Sequence, residues 1–512
     1  MSEIVGETSS PSVELGLDAG RRAESRMLVD GALVPAASGA EFDNAAPATG
    51  MVLGATAAAG SEDMSRAIAA ARRAFDETVW PTDRALRRRC LEQLQAALEA
   101  EKGDLGTELV AEAGCPVMTL GTAQVDWPLA ESLRYPMRLI EEFAWERTLD
   151  GGGLFGDRNV RTVIQEPVGV VAAICPSNFP VEVMLNKLGP ALAAGNTVVL
   201  KPDPHTPWNA TRLGRIIAEH TEFPPGVVNI VPTPSNEVAA LLATDPRVDM
   251  ISFTGSTAVG RTLVRLGADT MKRTFLELGG KSALIVLPDA DPVAALRSAA
   301  GVCVHAGQAC AATTRMLVHH SVFEEMAGNV AAAFETIPVG DPALPHTLVG
   351  PLISPAAQRR VLDACTRAVA DGARLITGGR IPDMPPDLSG GNWFSPTVFA
   401  CEDPSLPIAQ EEIFGPVLVM IPFVDDEDAV RIANHSVYGL AGAVLSGSAE
   451  RGAAIARRVR TGAIGVNGGM FYGADAPFGG YKNSGIGRQC GLEGFAQYLE
   501  TKTLAHRTPR QR

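Results

Sequence analysis

The chain has 512 residues, of which 46% are hydrophobic and 20% are charged, a balance typical of a globular protein. At ~150 residues per domain it is long enough for about three compact units. Lysine and arginine total 44 against 58 aspartate and glutamate, a formal net charge of −14. Nucleic acid and anionic membrane surfaces would be repelled at long range, so neither is an expected partner.

Cysteine spacing and hydropathy limit the compartment and the class of site. The eight cysteines form no C-x-x-C pair and no zinc-ligand spacing, so we expect reduced thiols in the cytoplasm and no metal site. The longest uncharged apolar run of the C-terminal half, residues 414–424, is far shorter than the ~20 residues of a membrane-spanning helix. Residues 1–21 lack a basic start and an apolar core, so we expect a mobile arm rather than a secretory signal.

The first predicted elements are two amphipathic helices. Ser61 with the acids Glu62 and Asp63 is typical of a helix N-terminus. Apolar residues at helical spacing continue from there to Phe75, and a second set at the same spacing covers residues 86–98.

After these helices the pattern changes to short apolar runs bounded by glycine and proline. These runs cover residues 168–174, 197–200, 227–231 and 250–253. Because helix-length stretches separate them, we expect a parallel, doubly wound sheet. Further runs at 283–287 and 316–318 predict a second α/β unit, and the glycine-rich segment 149–161 predicts a projecting loop or hairpin.

The segment from Gly255 to Gly260 is the first candidate binding feature. It follows an apolar strand and begins a predicted helix, so its backbone N–H groups and the positive helix end could hold a phosphate. It nearly matches the phosphate loop of NTPases, but Arg261 and Thr262 stand where that loop needs Lys and Ser/Thr. No G-x-G-x-x-G follows a predicted strand, so the ordinary dinucleotide-binding motif is absent. A glycine turn needed only for packing is an open alternative.

Three side chains could carry chemistry. Cys310 lies between Ala309 and Ala311, small neighbours that leave its sulfur reachable, although a structural thiol is an alternative. Glu277 lies in an apolar frame that would raise its pKa and make it a general base, or it caps the glycine turn that follows. Asn178 follows a predicted strand between two prolines, where its amide could donate to an oxyanion or simply form a turn.

Seven segments, taken in order, resemble the aldehyde dehydrogenase superfamily in its hydrolytic, NAD(P)-dependent branch. They are residues 166–180 (EPVGVVAAICPSNFP), 195–202 (GNTVVLKP), 253–260 (FTGSTAVG), 276–282 (LELGGKS), 307–310 (GQAC), 411–417 (EEIFGPV) and 477–488 (PFGGYKNSGIGR). The separation of 33 residues between Glu277 and Cys310 is also close to that of the family. The resemblance covers nearly the whole chain.

The resemblance implies a role for each candidate residue. Cys310 is the nucleophile that attacks the aldehyde, Asn178 helps to form the oxyanion hole, and Glu277 activates water to hydrolyse the thioester. The implied cofactor-binding residues are Lys201, Gly255, Ser256, Gly260, Glu412 and Phe414. Pro204 stands where the family usually has an acid that binds the ribose. The cofactor is therefore NAD or NADP, and we favour NAD because no arginine or lysine lies nearby to attract a 2′-phosphate.

The resemblance also implies a tunnel for a small aldehyde substrate. Its candidate lining residues are Ser177, Met184, Ala309, Ala311, Tyr472 and Phe478. Small residues beside the thiol and an aromatic pair favour an apolar aldehyde, although Tyr472 and Phe478 could equally be packed core aromatics. A CoA-acylating enzyme is an alternative against which Glu277 argues, and a non-catalytic relative is one against which Cys310 argues.

The implied architecture is α/β, with two doubly wound parallel-sheet domains and a small β arm. The expected parts are a flexible N-terminal arm (1–21), a dinucleotide-binding domain (22–146 and 168–279), a catalytic domain (280–482), and an oligomerisation arm with a C-terminal tail (147–167 and 483–512). An exposed strand edge on this arm is a natural docking surface, so we expect a homodimer or homotetramer.

Overall fold

The computed structural model describes residues 9–149 and 159–507. Helices and strands alternate over most of the chain, as the sequence predicts for an α/β protein. Among these residues, no helix has both the length and the apolar character that crossing a lipid bilayer requires. The glycines of the predicted loop, at positions 151, 152, 153 and 156, lie outside the described residues.

The helices and strands are numbered along the chain. The helices are α1 (Pro11–Arg22), α2 (Ser61–Glu77), α3 (Arg84–Ala100), α4 (Lys102–Glu108), α5 (Arg134–Glu142), α6 (Pro180–Ala194), α7 (Trp208–His220), α8 (Asn236–Thr244), α9 (Thr257–Gly267), α10 (Pro292–Ala300), α11 (Phe323–Glu335), α12 (Pro355–Ala370), α13 (Pro407–Gln410), α14 (Asp426–Asn434), α15 (Ala449–Ala456) and α16 (Gly491–Ala496). The strands are β1 (Met27–Val29), β2 (Ala32–Val34), β3 (Glu41–Ala45), β4 (Val52–Ala57), β5 (Glu146–Leu149), β6 (Asn159–Pro167), β7 (Val170–Ile174), β8 (Thr197–Lys201), β9 (Val228–Ile230), β10 (Met250–Thr254), β11 (Arg273–Glu277), β12 (Ala283–Val286), β13 (Arg315–His319), β14 (Arg374–Thr377), β15 (Thr397–Ala400), β16 (Val417–Phe423), β17 (Gly442–Leu445), β18 (Gly465–Val466), β19 (Gly485–Ile486) and β20 (Leu499–Arg507).

The first domain is built on a sheet of eight described strands, in the order β19-β11-β10-β7-β8-β9-β1-β2. Its five central strands run parallel. Along β7, Val170 and Ala172 lie in one apolar core while Val171 and Ala173 lie in another, because successive side chains point to opposite faces. Helix α2 covers one face and α6 the other, so the predicted doubly wound sheet is confirmed.

The second domain contains a sheet of seven described strands, in the order β14-β15-β16-β13-β12-β17-β18. All neighbouring strands are parallel except the β14–β15 pair. Gly279 and Gly280 belong to the short segment that joins β11 of the first domain to β12 of the second. The carboxyl edge of one sheet therefore leads directly to the amino edge of the other.

A smaller antiparallel sheet, in the order β20-β6-β5, contains the predicted arm. The tail differs from the prediction that assigned it to this arm from residue 483 onward. Strand β19 pairs with β11 of the first domain, and Phe495 and Tyr498 are buried in that domain's core. Because the two aromatic rings gain this burial, the tail as far as residue 498 packs with the first domain, and β20 alone extends into the arm sheet.

The prediction of a mobile arm over residues 1–21 is wrong for residues 11–21, which belong to α1. The helix begins with a proline at its first position, where the missing N–H needs no partner. Its buried face contains Gly16 and Ala19, and Ala19 packs with Ala111 and Trp208. Arg22, the last residue of α1, forms an ion pair with Asp104.

Candidate functional site

The strand order of the first sheet places several predicted site residues at one edge. The chain passes from β7 through β8 to β9 on one side and then returns to β10 on the other, so the connection reverses between β7 and β10. Ligands of open α/β sheets bind at the carboxyl ends of strands beside such a reversal. Asn178 follows β7, Lys201 ends β8, Gly255 follows β10 and Glu277 ends β11.

The loop that carries Cys310 reaches this edge from the second domain. Asn178 Nδ2 donates a hydrogen bond to the Gln308 carbonyl oxygen at 2.8 Å. The three residues before Gln308 have positive φ angles: 50° at His305, 53° at Ala306 and 73° at Gly307. Such angles are strained for residues other than glycine. The strained turn brings the thiol loop to the Asn178 amide, and Cys310 itself is half-buried.

Glu277 lies beside the same loop. A Cβ on Gly280 would lie 2.6 Å from the Cys310 carbonyl oxygen, and a Cβ on Gly479 would lie 2.5 Å from Glu277 Oε1. Only glycine therefore allows these approaches. The structure brings together the three side chains predicted to carry chemistry, Asn178, Cys310 and Glu277.

The Glu277 carboxylate is in an unusual electrostatic environment. Glu277 is 3% exposed, and neither of its carboxylate oxygens has a hydrogen-bond partner among the described residues. Burial raises its pKa well above the ordinary value, while Lys187 and Arg488 lower it. The alternative in which Glu277 caps the glycine turn requires a hydrogen bond to the carboxylate, and the described residues provide none. A buried, unbonded carboxyl with a raised pKa is suited to accept a proton near neutral pH.

The Cys310 thiol is surrounded by acidic groups. Burial raises its pKa most, and the carboxyls of Glu277, Glu412 and Glu182 raise it further. The three carboxyls thus favour the protonated thiol, and the Ala311 backbone N–H opposes them. A bound cation close to the sulfur would favour the thiolate.

The segment predicted to hold a phosphate has the expected local structure. Ser256 Oγ accepts a hydrogen bond from the Val259 N–H at 3.3 Å and so caps α9. Ser256 is exposed, which leaves the helix N-terminus accessible. Gly260 has a packing role, because a Cβ there would lie 2.7 Å from Leu278. The first turn of α9 can bind an anion, and Gly260 lets the helix approach the sheet.

The end of β8 carries a charged cluster around Lys201. Burial lowers the Lys201 pKa, and the nearby Asp203 carboxylate opposes this effect. Asp203 Oδ1 accepts a hydrogen bond from the backbone N–H of His205 and lies 2.8 Å from its Nδ1. Pro204 lies between Asp203 and His205 and has no carboxylate, but Asp203 supplies one a single position earlier. Sequence reasoning missed this acid because it considered only the position at which the family usually has one.

Glu412 and Phe414 lie on the second domain, before β16. Glu412 Oε1 accepts a hydrogen bond from the Gly280 N–H at 3.1 Å, and burial raises the Glu412 pKa to about 7. Phe414 is half-buried, and its positive φ of 56° marks a turn that departs from ordinary backbone geometry. With Lys201 and the α9 N-terminus, these groups fit a dinucleotide lying across the two sheet edges.

The predicted pocket residues separate into two sets. Ser177, Ala309 and Ala311 are half-buried beside the Asn178 and Cys310 loops. Tyr472 and Phe478 pack edge to face with ring centroids 5.0 Å apart. These five positions are compatible with a pocket wall.

Met184 is a correction to that prediction. It is 3% exposed and lies in the core of the first domain. Residues two positions apart on a helix point in nearly opposite directions, and Met184 is two positions after Glu182, which contacts Tyr472. The face of α6 that meets the pocket is therefore that of Glu182 and Asn186.

Three residues near the pocket were missed from the sequence. Glu182 Oε1 accepts a hydrogen bond from the Tyr472 hydroxyl, and Asn186 Nδ2 donates to the same hydroxyl at 3.3 Å. The Trp127 ring packs on Tyr472 at 5.0 Å. The spacing of 182 and 186 after Asn178 was the available signal, because residues four apart share a helix face. The sequence suggested an apolar pocket, whereas Glu182 and Asn186 make part of its wall polar.

The acidic and cysteine side chains of the site do not form a metal cluster. Within residues 9–149 and 159–507, no group of at least 3 His, Cys, Asp or Glu side chains is arranged to hold a metal ion. The eight cysteines are all free thiols.

Comparison with known proteins shows clear similarity over almost the whole chain. Residues 33–504 match the model of the aldehyde dehydrogenase family. The chain is 39% identical over 479 residues to 3-succinoylsemialdehyde-pyridine dehydrogenase of Pseudomonas sp, covering 93% of this chain and 97% of that protein. Betaine aldehyde dehydrogenase from Staphylococcus aureus, solved with NAD⁺, superposes with a TM-score of 0.93 at 31% identity, covering 98% of each chain. A cysteine-to-alanine mutant of aldehyde dehydrogenase C from Pseudomonas syringae, solved with NAD⁺ and octanal, has a TM-score of 0.88 at 34% identity, covering 97% of this chain and 98% of that one.

Proposed function

The chain belongs to the aldehyde dehydrogenase family, and from that premise we propose that it oxidises a small aldehyde to the carboxylic acid with NAD, through a covalent bond to Cys310. The observation that supports the proposal best is the meeting of Asn178, Cys310 and Glu277 where the two sheet edges face each other. A nucleophile, an oxyanion donor and a base are the groups that this reaction needs.

The first half of the reaction uses Cys310 and Asn178. The Cys310 thiolate adds to the carbonyl carbon, and the carbonyl oxygen becomes an oxyanion. Asn178 Nδ2 has two N–H bonds, one of which is given to the Gln308 carbonyl, so the second can donate to that oxyanion together with the Cys310 backbone N–H. A bound NAD would supply the acceptor for the hydride of the carbon attached to the sulfur, and its positively charged nicotinamide ring would favour the thiolate. Cys310 is left as a thioester.

The second half of the reaction uses Glu277. Its two unbonded oxygens can accept a proton from a water molecule, which then attacks the thioester carbon. The carbon–sulfur bond breaks, the acid leaves and the Cys310 thiolate is restored, and the proton taken up by Glu277 passes to solvent. A CoA-acylating enzyme would transfer the acyl group to a thiol instead and would not need this base, so Glu277 supports hydrolysis.

We favour NAD over NADP on the charges beside Lys201. The Asp203 carboxylate lies close enough to Lys201 to oppose the lowering of its pKa, and it would repel a 2′-phosphate. Lys201 and Glu412 would hold the two riboses and the first turn of α9 the pyrophosphate. The solved relatives from Staphylococcus aureus and Pseudomonas syringae carry NAD⁺, which supports the same choice.

The remaining proposals concern the substrate and the setting. The aromatic wall of Tyr472 and Phe478 supports a substrate with an apolar body. A catalytic thiol needs reducing conditions, which supports a cytoplasmic location. The exposed residues of β20 support association of identical subunits into a dimer or tetramer through the arm sheet.

The decisive experiment measures formation of NADH or NADPH from a panel of aliphatic and aromatic aldehydes, with and without CoA. We expect NADH formation without CoA, loss of activity in Cys310→Ala with retained NAD binding, and normal turnover in Cys303→Ala, a buried thiol on the same loop. Turnover by Cys310→Ala, or no reaction with any aldehyde and either cofactor, would overturn the proposal.

A further inference from the structure

Glu182 is a buried acid whose charge acts on the Cys310 thiol, and the reaction described above has no use for it. It is 7% exposed, and its Oε1 accepts the Tyr472 hydroxyl hydrogen bond. No described side chain forms a hydrogen bond or ion pair with Oε2 in the structure. One half of the carboxylate is therefore fixed and the other half is available.

The surroundings of Glu182 contain no compensating positive charge among the described groups. Burial raises the pKa of Glu182 to about 7, and of these groups only the Tyr472 hydroxyl acts in the opposite direction. Burying a carboxylate without a cation is unfavourable. A ligand that carries a positive charge would stabilise the Glu182 carboxylate when it binds.

Glu182 also lies near the reacting sulfur. The charge of Glu182 raises the pKa of the Cys310 thiol. The same thiol raises the pKa of Tyr472, the hydrogen-bond donor to Glu182. The rings of Trp127 and Tyr472 pack 5.0 Å apart beside it. Aromatic faces attract ammonium groups, and a carboxylate binds an N–H-bearing cation by charge-assisted hydrogen bonds.

We propose that Glu182, positioned by Tyr472, is an anionic subsite of the substrate pocket, and that the preferred substrates are short aldehydes whose far end carries a protonated amine. The inference rests on the proposed aldehyde oxidation and specifies its substrate class. The aromatic walls contact the methylene chain between the aldehyde and the amine, so an apolar body and a charged end occupy the same pocket.

The test compares 3-aminopropanal with butanal, which have the same length but differ in the terminal charge. At pH 8 we expect wild-type enzyme to favour the amino-aldehyde by about tenfold or more in kcat/KM, because only this substrate can form an ion pair with Glu182. Glu182→Gln removes the charge but keeps an acceptor for Tyr472, so the ratio of kcat/KM for 3-aminopropanal to that for butanal should fall to near unity. Any effect of the lost charge on the Cys310 thiol acts on both aldehydes and cancels in this ratio. Glu237→Gln, at an exposed acid on α8, should change neither value.

The outcomes separate this inference from the proposed function. Absence of NADH from both aldehydes in wild-type enzyme would contradict the proposed oxidation itself. Oxidation of both aldehydes without preference, or an equal loss for both in Glu182→Gln, would overturn the subsite and leave oxidation intact. If Glu182→Gln does not fold, wild-type enzyme still tests the proposal, because propylammonium should compete with butanal and equimolar propanol should not. Equal inhibition by the two additives would overturn it.

Discussion

Glu277 shows how the local environment can prepare a side chain for one step of a reaction. It is buried and unbonded in the described structure, so replacing its acid by an amide changes little except the ability to accept a proton. We therefore expect Glu277→Gln to stop after the oxidation step, with one NADH per Cys310 and a steady-state rate lower by about 10²-fold or more. Stopped-flow absorbance of NADH measures both quantities. An unchanged steady-state rate would remove Glu277 from the role of base.

The pH dependence follows from the direction of two pKa shifts. Burial raises the pKa of both Glu277 and Cys310, and each group acts in its deprotonated form. The active forms are therefore lost below the raised pKa values and gained above them. We expect the steady-state rate to increase with pH across the neutral range in wild-type enzyme, measured with saturating NAD. A rate that falls over this range would contradict the assignment of either group.

Asp203 is the residue on which cofactor choice should depend. Its carboxylate lies near Lys201, where a 2′-phosphate would come closest. Asp203→Asn keeps the shape and removes the charge, so we expect the ratio of kcat/KM for NADP to that for NAD to rise about tenfold. Pro204→Glu adds a charge one residue later and should lower the ratio. An unchanged ratio in both variants would place the discrimination elsewhere.

At the scale of elements, helix α1 makes close backbone contacts through its glycines, in addition to the packing of Leu15. A Cβ on Gly20 would clash with the Leu53 carbonyl oxygen. Alanine in a helix is usually more stable than glycine by about 1 kcal/mol, but at Gly20 the clash should reverse the sign. We expect Gly20→Ala to lower Tm and Gly328→Ala, in α11 with open space around it, to raise it or leave it unchanged. Calorimetry checks both. Equal effects would mean that α1 does not pack closely on β4.

This glycine packing explains why the sequence did not predict α1. Its apolar face is made of small residues such as Gly16 and Ala19, so the charged residues dominate the pattern of the segment. The strands of both domains were predictable, because β7 and β12 are short apolar runs between glycine and proline. The local sequence thus identifies elements whose burial depends on large apolar side chains. It misses those whose burial depends on close backbone contact.

The site shows the same division between local and long-range information. Asn178, Glu277 and Cys310 could be selected from motifs, because each lies next to a glycine or proline turn. The helical spacing of Glu182 and Asn186 was the local signal for Glu182, but it could not reveal the contact with Tyr472, which is 290 residues away along the chain. Met184 was predicted because the family resemblance places part of the tunnel wall just after Asn178, whereas the helix directs Met184 into the core. The face of α6 that meets the pocket is the one that contacts Tyr472 of the second domain, and this contact cannot be read from the sequence of α6.

At the scale of the whole molecule, the two sheets divide the chemistry between them. The carboxyl edge of the first sheet provides Asn178 and Glu277, and the loops before the strands of the second provide Cys310 and Glu412. Because Gly279 and Gly280 join the two edges directly, small changes in this connection should alter the distance between base and thiol. The arrangement makes the relative position of the domains part of the active site.

The arm sheet is the other feature that belongs to the whole molecule. Strand β20 pairs with β6 along its full length, yet all its residues after Leu499 are exposed. An exposed edge of this kind is expected to be covered by another subunit. A chain that ends at Leu499 keeps that buried residue and removes the exposed strand, so we expect it to retain its circular dichroism spectrum and the burst of NADH formation. Sedimentation velocity should show a smaller species than for the full chain. If both chains sediment as monomers, or both as the same oligomer, self-association does not depend on β20.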